Sequence, residues 1–195
     1  MRRICVFAGS SVGKRSEYQQ AARALGEELV ARGLGVVYGG ASVGLMGVVA
    51  NTVLAGGGEV IGVLPRGLFR REIAHGHLTE LHEVDSMHGR KALMADLADG
   101  FVVLPGGFGT FDELFEITTW SQLGLHAKPI GLLNVANYFE PLLALVAHAI
   151  REGFIPAFHG GILLHEDNAV ALLNAFASYV PPITPSAWIE PPPQR

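Results

Sequence analysis

Short, unbroken apolar runs alternate with segments of helical period along almost the whole chain, and this alternation limits the fold more than any other feature. The runs fall at residues 4–8, 34–38, 60–64, 101–104, 130–133 and 162–164, with a weaker one around 81–84. An unbroken run of this length is the pattern of a strand buried on both faces. Helical periodicity occupies residues 16–32, 45–54, 87–97, 111–123, 141–150 and 169–179. In the first of these, Ala21, Ala22, Leu25, Leu29 and Val30 share one face, and Gly33 supplies the stop. Repeated strand–helix units predict a doubly wound, Rossmann-like α/β fold, with a mostly parallel sheet between two helical layers. Residues 1–180 read as one domain, and the proline-rich residues 181–195 as a loose tail.

Composition removes several classes of function. Hydrophobic residues are 49% of the chain and charged residues 16%, a balance that builds a core rather than a disordered segment. Net charge is −4 and no run of lysine or arginine exists, so a nucleic-acid backbone is not an expected partner. An anionic ligand would have to be held by local dipoles and a few placed cations. Cys5 is the single cysteine, lies within Ile4-Cys5-Val6-Phe7, and reads as a buried core thiol. Arg2-Arg3 followed by an apolar stretch imitates a signal peptide. The stretch ends at Gly9-Ser10-Ser11, too short for an apolar region of about 7–15 residues. With no apolar run long enough to span a bilayer, a membrane is not an expected partner and the cytoplasm is the expected compartment.

In open α/β sheets, ligands bind beyond the carboxyl ends of the strands, where strand order reverses. Three predicted strands end in small-residue turns that lead toward helices: Gly9-Ser10-Ser11, Gly39-Gly40-Ala41-Ser42-Val43-Gly44 and Pro105-Gly106-Gly107-Phe108-Gly109-Thr110. Glycine permits close backbone approach, and the exposed N–H groups of a helix start favour an anion such as phosphate. One such turn is ordinary chain reversal; three at equivalent sheet ends point to a ligand. Two familiar nucleotide signatures fail. Gly107-Phe108-Gly109 is followed by Asp112 where a dinucleotide fingerprint needs glycine. In Ala8-Gly9-Ser10-Ser11-Val12-Gly13-Lys14-Arg15, Ala8 replaces the first P-loop glycine and Arg15 the metal-binding hydroxyl.

What remains is Pro105-Gly106-Gly107-Phe108-Gly109-Thr110-Phe111-Asp112-Glu113, together with Gly39-Gly40, Gly44-Leu45-Met46-Gly47 and Met87-His88-Gly89-Arg90-Lys91. These segments resemble the Lonely guy (LOG) family of cytokinin riboside 5′-monophosphate phosphoribohydrolases, long labelled lysine decarboxylases. The resemblance runs from Ile4 to about Tyr179 and takes in Thr119-Trp120-Ser121-Gln122-Leu123-Gly124 and Gly131-Leu132-Leu133-Asn134. Departures are small: Ala8 stands where many members carry cysteine, Ala41 replaces a third glycine, and Asp112 fills a variable position often held by glutamate.

The resemblance implies Arg90 and Glu113 as catalytic residues. It also implies a substrate site drawn from Gly9, Ser10, Gly39, Gly40, Gly44, Met46, Glu72, Met87, Lys91, Gly106, Gly107, Phe108, Gly109, Thr110, Phe111, Asp112 and Thr119. It implies a homodimer and no cofactor. Each residue has a plainer reading beside it. Thr110 and Glu113 have capping-box spacing. Arg90 and Lys91 could be solvated cations, although the macrodipole disfavours cations at a helix start. Glu72 could be a surface acid; Met46, Met87 and Thr119 could simply pack. His75-Gly76-His77 is the one close histidine pair, and without an accompanying carboxylate cluster it does not read as a metal site.

Three functions follow for comparison. The first is hydrolysis of a nucleoside 5′-monophosphate to free base and ribose 5-phosphate. The second is a non-catalytic nucleotide or cofactor carrier on the same fold. The third, a pyridoxal-phosphate decarboxylase, needs a Schiff-base lysine from among Lys14, Lys91 and Lys128, and these fall largely at surface or turn positions.

Overall fold

The computed structural model describes residues 1–66 and 75–182. Its core is a seven-stranded, wholly parallel sheet, with strands β1 Arg3–Phe7, β2 Gly35–Tyr38, β3 Val60–Pro65, β4 Glu80–Val84, β5 Gly100–Val103, β6 Ile130–Leu133 and β7 Leu163–Glu166. The helices are α1 Ser16–Ala31, α2 Gly44–Ala55, α3 Met87–Leu97, α4 Phe108–Gln122, α5 Glu140–Arg151 and α6 Ala169–Ala177. Every predicted element is present among them.

Strand order is β4-β3-β2-β1-β5-β6-β7. The chain winds outward from β1 to β4, returns through α3 to β5 beside β1, and winds outward the other way. Strand order therefore reverses between β1 and β5. The inner strands are buried except for Arg3 at the start of β1, whereas the edge strands β4 and β7 have no buried residue. Alternate strand residues feed two cores. Ile4, Val6, Val36 and Tyr38 meet Leu25, Leu29, Val49 and Phe176 from α1, α2 and α6. Cys5, Phe7, Val37 and Phe101 meet Met94, Leu114 and Ile117 from α3 and α4. Cys5 is fully buried, and burial, followed by the nearby Glu113 carboxylate, pushes its thiol well up.

One boundary corrects the expectation. Helix α4 begins at Phe108, with Gly107 as its N-terminal cap residue, rather than at 111. Two glycines around one phenylalanine have poor intrinsic helix propensity, but the Phe111 amide donates to the Gly107 carbonyl and closes the first turn. Thr110 thus lies inside the helix, Glu113 is a turn beyond it, and the capping box is not formed. No helix of the described residues is long and apolar enough to cross a membrane. The expected tail lies outside the described residues except for Pro181 and Pro182.

Candidate active site

The three small-residue turns meet at the carboxyl end of the sheet. The Gly9 amide donates to the Pro105 carbonyl at 3.0 Å, and the Leu45 amide donates to the Gly9 carbonyl at 2.9 Å. The turn after β1 is thus tied to the turn after β5 and to the start of α2. Gly106 lies so close to Thr110 that a β-carbon there would overlap the threonine hydroxyl. The first N–H groups of α4 have no carbonyl of their own helix to bond. With the macrodipole behind them, they form an anion-receptive end.

Arg90 arrives from α3 and Glu113 from α4. Both are buried, at 7% and 8% exposure, and Arg90 Nη1 lies 3.3 Å from Glu113 Oε1. Arg90 Nε donates to the Val63 carbonyl at 3.1 Å, which fixes the guanidinium at the end of β3. Gly39 makes this possible, because the guanidinium occupies the space that a side chain at Gly39 would fill. The pair lines a cavity of about 190 Å³ with Ala8, Gly9, Ser10, Met46, Gly107, Phe108, Gly109 and Thr110. Phe108 is 92% exposed and stands at its mouth. A larger hollow of about 630 Å³ lies between α1 and α2, but none of the three glycine turns and neither member of the Arg90–Glu113 pair borders it.

Not every expected site residue enters the cavity. Gly39 and Gly106 back it. Gly40 and Gly44, with φ of +78° and +64°, shape the β2–α2 loop behind it. Phe111 packs into the core beneath α4. Lys91 turns away to α4, with Nζ 2.9 Å from Asp112 Oδ2 and 2.7 Å from Glu116 Oε2. Burial opposes its charge, but the hydrogen bonds it donates to Glu116 and Asp112 outweigh that and leave its pKa above the ordinary value. Lys91 and Asp112 thus form a strap between the two helices that carry Arg90 and Glu113. Thr119 is exposed, and its hydroxyl donates to the Phe115 carbonyl of its own helix. Met87 is exposed at the start of α3, and Glu72 lies outside the described residues. His75 is occupied with Asn51 at 2.8 Å, and its amide donates to the Gly40 carbonyl.

Sequence reasoning missed Tyr138, whose hydroxyl donates to the Gly106 carbonyl. The signal available was position: Tyr138 follows the carboxyl end of β6, at the ligand-binding end of the sheet. It also missed Glu116, one helical turn after Asp112 and able to share the same lysine.

Fold and site together define a Rossmann-like α/β protein with a guanidinium–carboxylate centre at its switch point. The family model described as "Possible lysine decarboxylase" matches residues 46–176. The chain is 48% identical to the cytokinin riboside 5′-monophosphate phosphoribohydrolase LOG of Oryza sativa subsp. japonica, over 92% of this chain and 74% of that protein. It is 50% identical to LOG7 of Arabidopsis thaliana, which bears the same enzyme name, over 92% of this chain and 83% of that one. The chain belongs to the LOG family. In fold alone it also matches the molybdenum cofactor carrier protein of Chlamydomonas reinhardtii, with TM-score 0.68, 17% identity, and 91% and 99% of the two chains covered.

Proposed function

We propose that this chain hydrolyses the N-glycosidic bond of a nucleoside 5′-monophosphate, an N6-substituted adenine ribotide (a cytokinin precursor) or AMP, to free base and ribose 5-phosphate. The observation that carries the reading is the buried Arg90–Glu113 pair lining one cavity with the first turn of α4. The 5′-phosphate sits on the amides from Gly107 to Thr110. A carboxylate beside a phosphate is repulsive, so Glu113 faces the sugar instead. There it stabilises the positive charge that develops as the bond from C1′ to the base breaks, and it takes a proton from the attacking water. The water oxygen bonds to C1′, the base nitrogen keeps the bonding electrons and takes up the proton that Glu113 removed from water, which restores the carboxylate, and Arg90 supports the departing base. No metal or organic cofactor enters this reaction.

The decarboxylase label fits the site poorly. Lys91 is held by two carboxylates, Lys128 Nζ donates to the Ala95 carbonyl at 2.7 Å, and neither these nor Lys14 lines the cavity. A carrier would bind nucleotide and never turn it over. The deciding experiment incubates the chain with AMP and with isopentenyladenosine 5′-monophosphate and measures free base. Release from either is expected; none from either, with folded protein, ends the enzymatic reading.

The working unit is a homodimer, and its place is the cytoplasm, where its substrate class is found. Support for the dimer comes from α4, where Phe108 at the cavity mouth, Phe115 two turns on and Leu123 at the C-terminal cap are all exposed and recur at helical spacing. Scattered apolar residues are normal on a surface, but a row beside a site suggests a contact. Phe115→Asp is expected to halve the mass in sedimentation equilibrium. An unchanged mass, or a monomeric parent chain, contradicts this assembly.

A further inference from the structure

The corner after β6 holds its backbone in an unusual shape. Ala136 and Asn137 have φ of +51° and +60°, the only non-glycine residues with positive φ among those described. Alanine enters this region at a cost, and such strain persists only where the surroundings over-determine it. They do so here. The Asn134 side chain accepts from the Phe139 amide and donates to Glu140, both at 2.8 Å, while its own amide donates to the Glu166 carbonyl at 2.7 Å.

The product of this corner is the placement of Tyr138. Its ring meets Tyr18 edge-on, with centroids 5.9 Å apart, and its hydroxyl donates to the Gly106 carbonyl. The two rings line a second cavity of about 240 Å³, which lies against Gly106 and Gly107 and lacks Arg90 and Glu113. Gly106-Gly107 is the stretch of the turn with the most backbone freedom, since neither residue has a β-carbon. In a planar trans peptide, the carbonyl of one residue and the N–H of the next point in opposite directions. A hydroxyl that holds the Gly106 carbonyl on the side of the second cavity therefore turns the Gly107 N–H away from Tyr138, and Gly107 also lines the Arg90–Glu113 cavity.

We propose that Tyr138 is a positioning residue of the anion cradle, locking the Gly106–Gly107 peptide so that the Gly107 amide faces the substrate phosphate. The proposal rests on the phosphoribohydrolase reading, in which α4 carries the phosphate. Tyr138 touches no reacting atom. Its effect falls on phosphate affinity and not on the bond-breaking step.

The test compares the parent chain with Tyr138→Phe and Tyr18→Phe, using AMP turnover and competitive inhibition by ribose 5-phosphate. Tyr138→Phe is expected to raise the KM for AMP and the ribose 5-phosphate inhibition constant together, by about tenfold, with kcat within about twofold. Tyr18→Phe, which removes a hydroxyl from the same cavity but no bond to Gly106, is expected to leave both constants unchanged. Unaltered ribose 5-phosphate affinity in Tyr138→Phe, a loss confined to kcat, or an equal loss in Tyr18→Phe overturns the proposal. If Tyr138→Phe does not fold, titrating ribose 5-phosphate into the labelled parent chain decides by NMR. The Gly107 amide resonance must move, and its staying still overturns the proposal. A parent chain that neither turns over AMP nor binds ribose 5-phosphate defeats the functional reading itself, a result distinct from all of these.

Discussion

Glu113→Gln is expected to lower kcat by about a thousandfold while nucleotide affinity stays within about tenfold. The substitution preserves shape, so the cavity and the first turn of α4 remain as they are. What disappears is the negative charge, in a site where burial leaves little water to screen it. A neutral amide can neither offset the positive charge that grows on the sugar nor accept a proton from water. Because that charge is absent from the bound ground state, the loss falls on kcat. Single-turnover release of adenine from AMP, read beside equilibrium dialysis of the same variant, separates the two quantities. Turnover within tenfold of the parent chain would remove Glu113 from the mechanism, and a parallel collapse of affinity would make it a binding residue.

Arg90→Met is the second large effect, and it reaches both activity and stability. The guanidinium has two tasks: it donates to the Val63 carbonyl, and it faces Glu113 across 3.3 Å. Methionine fills much of the volume but leaves a buried carboxylate without its cation. Removing one partner of a buried pair is costly, typically about 3–5 kcal/mol. The cavity opens to solvent at its mouth, so a loss of about 2–3 kcal/mol is expected here, seen as a fall in Tm of roughly 5–10 °C. Loss of support for the departing base is expected to lower kcat by about a hundredfold. Differential scanning calorimetry and base release measure the two effects independently. A variant with parent-like Tm and parent-like turnover would show that the pair is neither structural nor catalytic.

The inner strands were legible because a parallel strand covered on both faces shows no alternation, only an apolar run, as in Ile4-Cys5-Val6-Phe7. The edge strand β4 gave a weak signal for the converse reason: Glu80, His82 and Glu83 face water or neighbouring charges and dilute the pattern. The start of α4 was misread because Gly107 and Gly109 look like punctuation, whereas the Phe111 amide, by donating to the Gly107 carbonyl, carries the helix back to Phe108. That misreading kept a capping box as the plainer reading of Thr110 and Glu113, which the start of α4 at Phe108 removes. Arg90 and Glu113, 23 residues apart, could be paired in advance only through resemblance. Tyr138 and Gly106 are tied by topology alone, since β6 lies beside β5 and brings the following corner over the turn. Lys91 was legible as a residue but not in its placement, because its partners Asp112 and Glu116 belong to another helix.

Catalysis by Glu113 and Arg90 requires the phosphate to lie on the first turn of α4. A crystal structure of the Glu113→Gln variant, soaked briefly in saturating AMP and flash-cooled, reads this directly, because slowed turnover and excess nucleotide keep the site filled. The expected map places phosphate oxygens about 2.7–3.2 Å from amides between Gly107 and Thr110, with C1′ turned toward the side chain at position 113 and the Arg90 guanidinium. Phosphate bound elsewhere, or an empty cavity at saturating nucleotide, would contradict it.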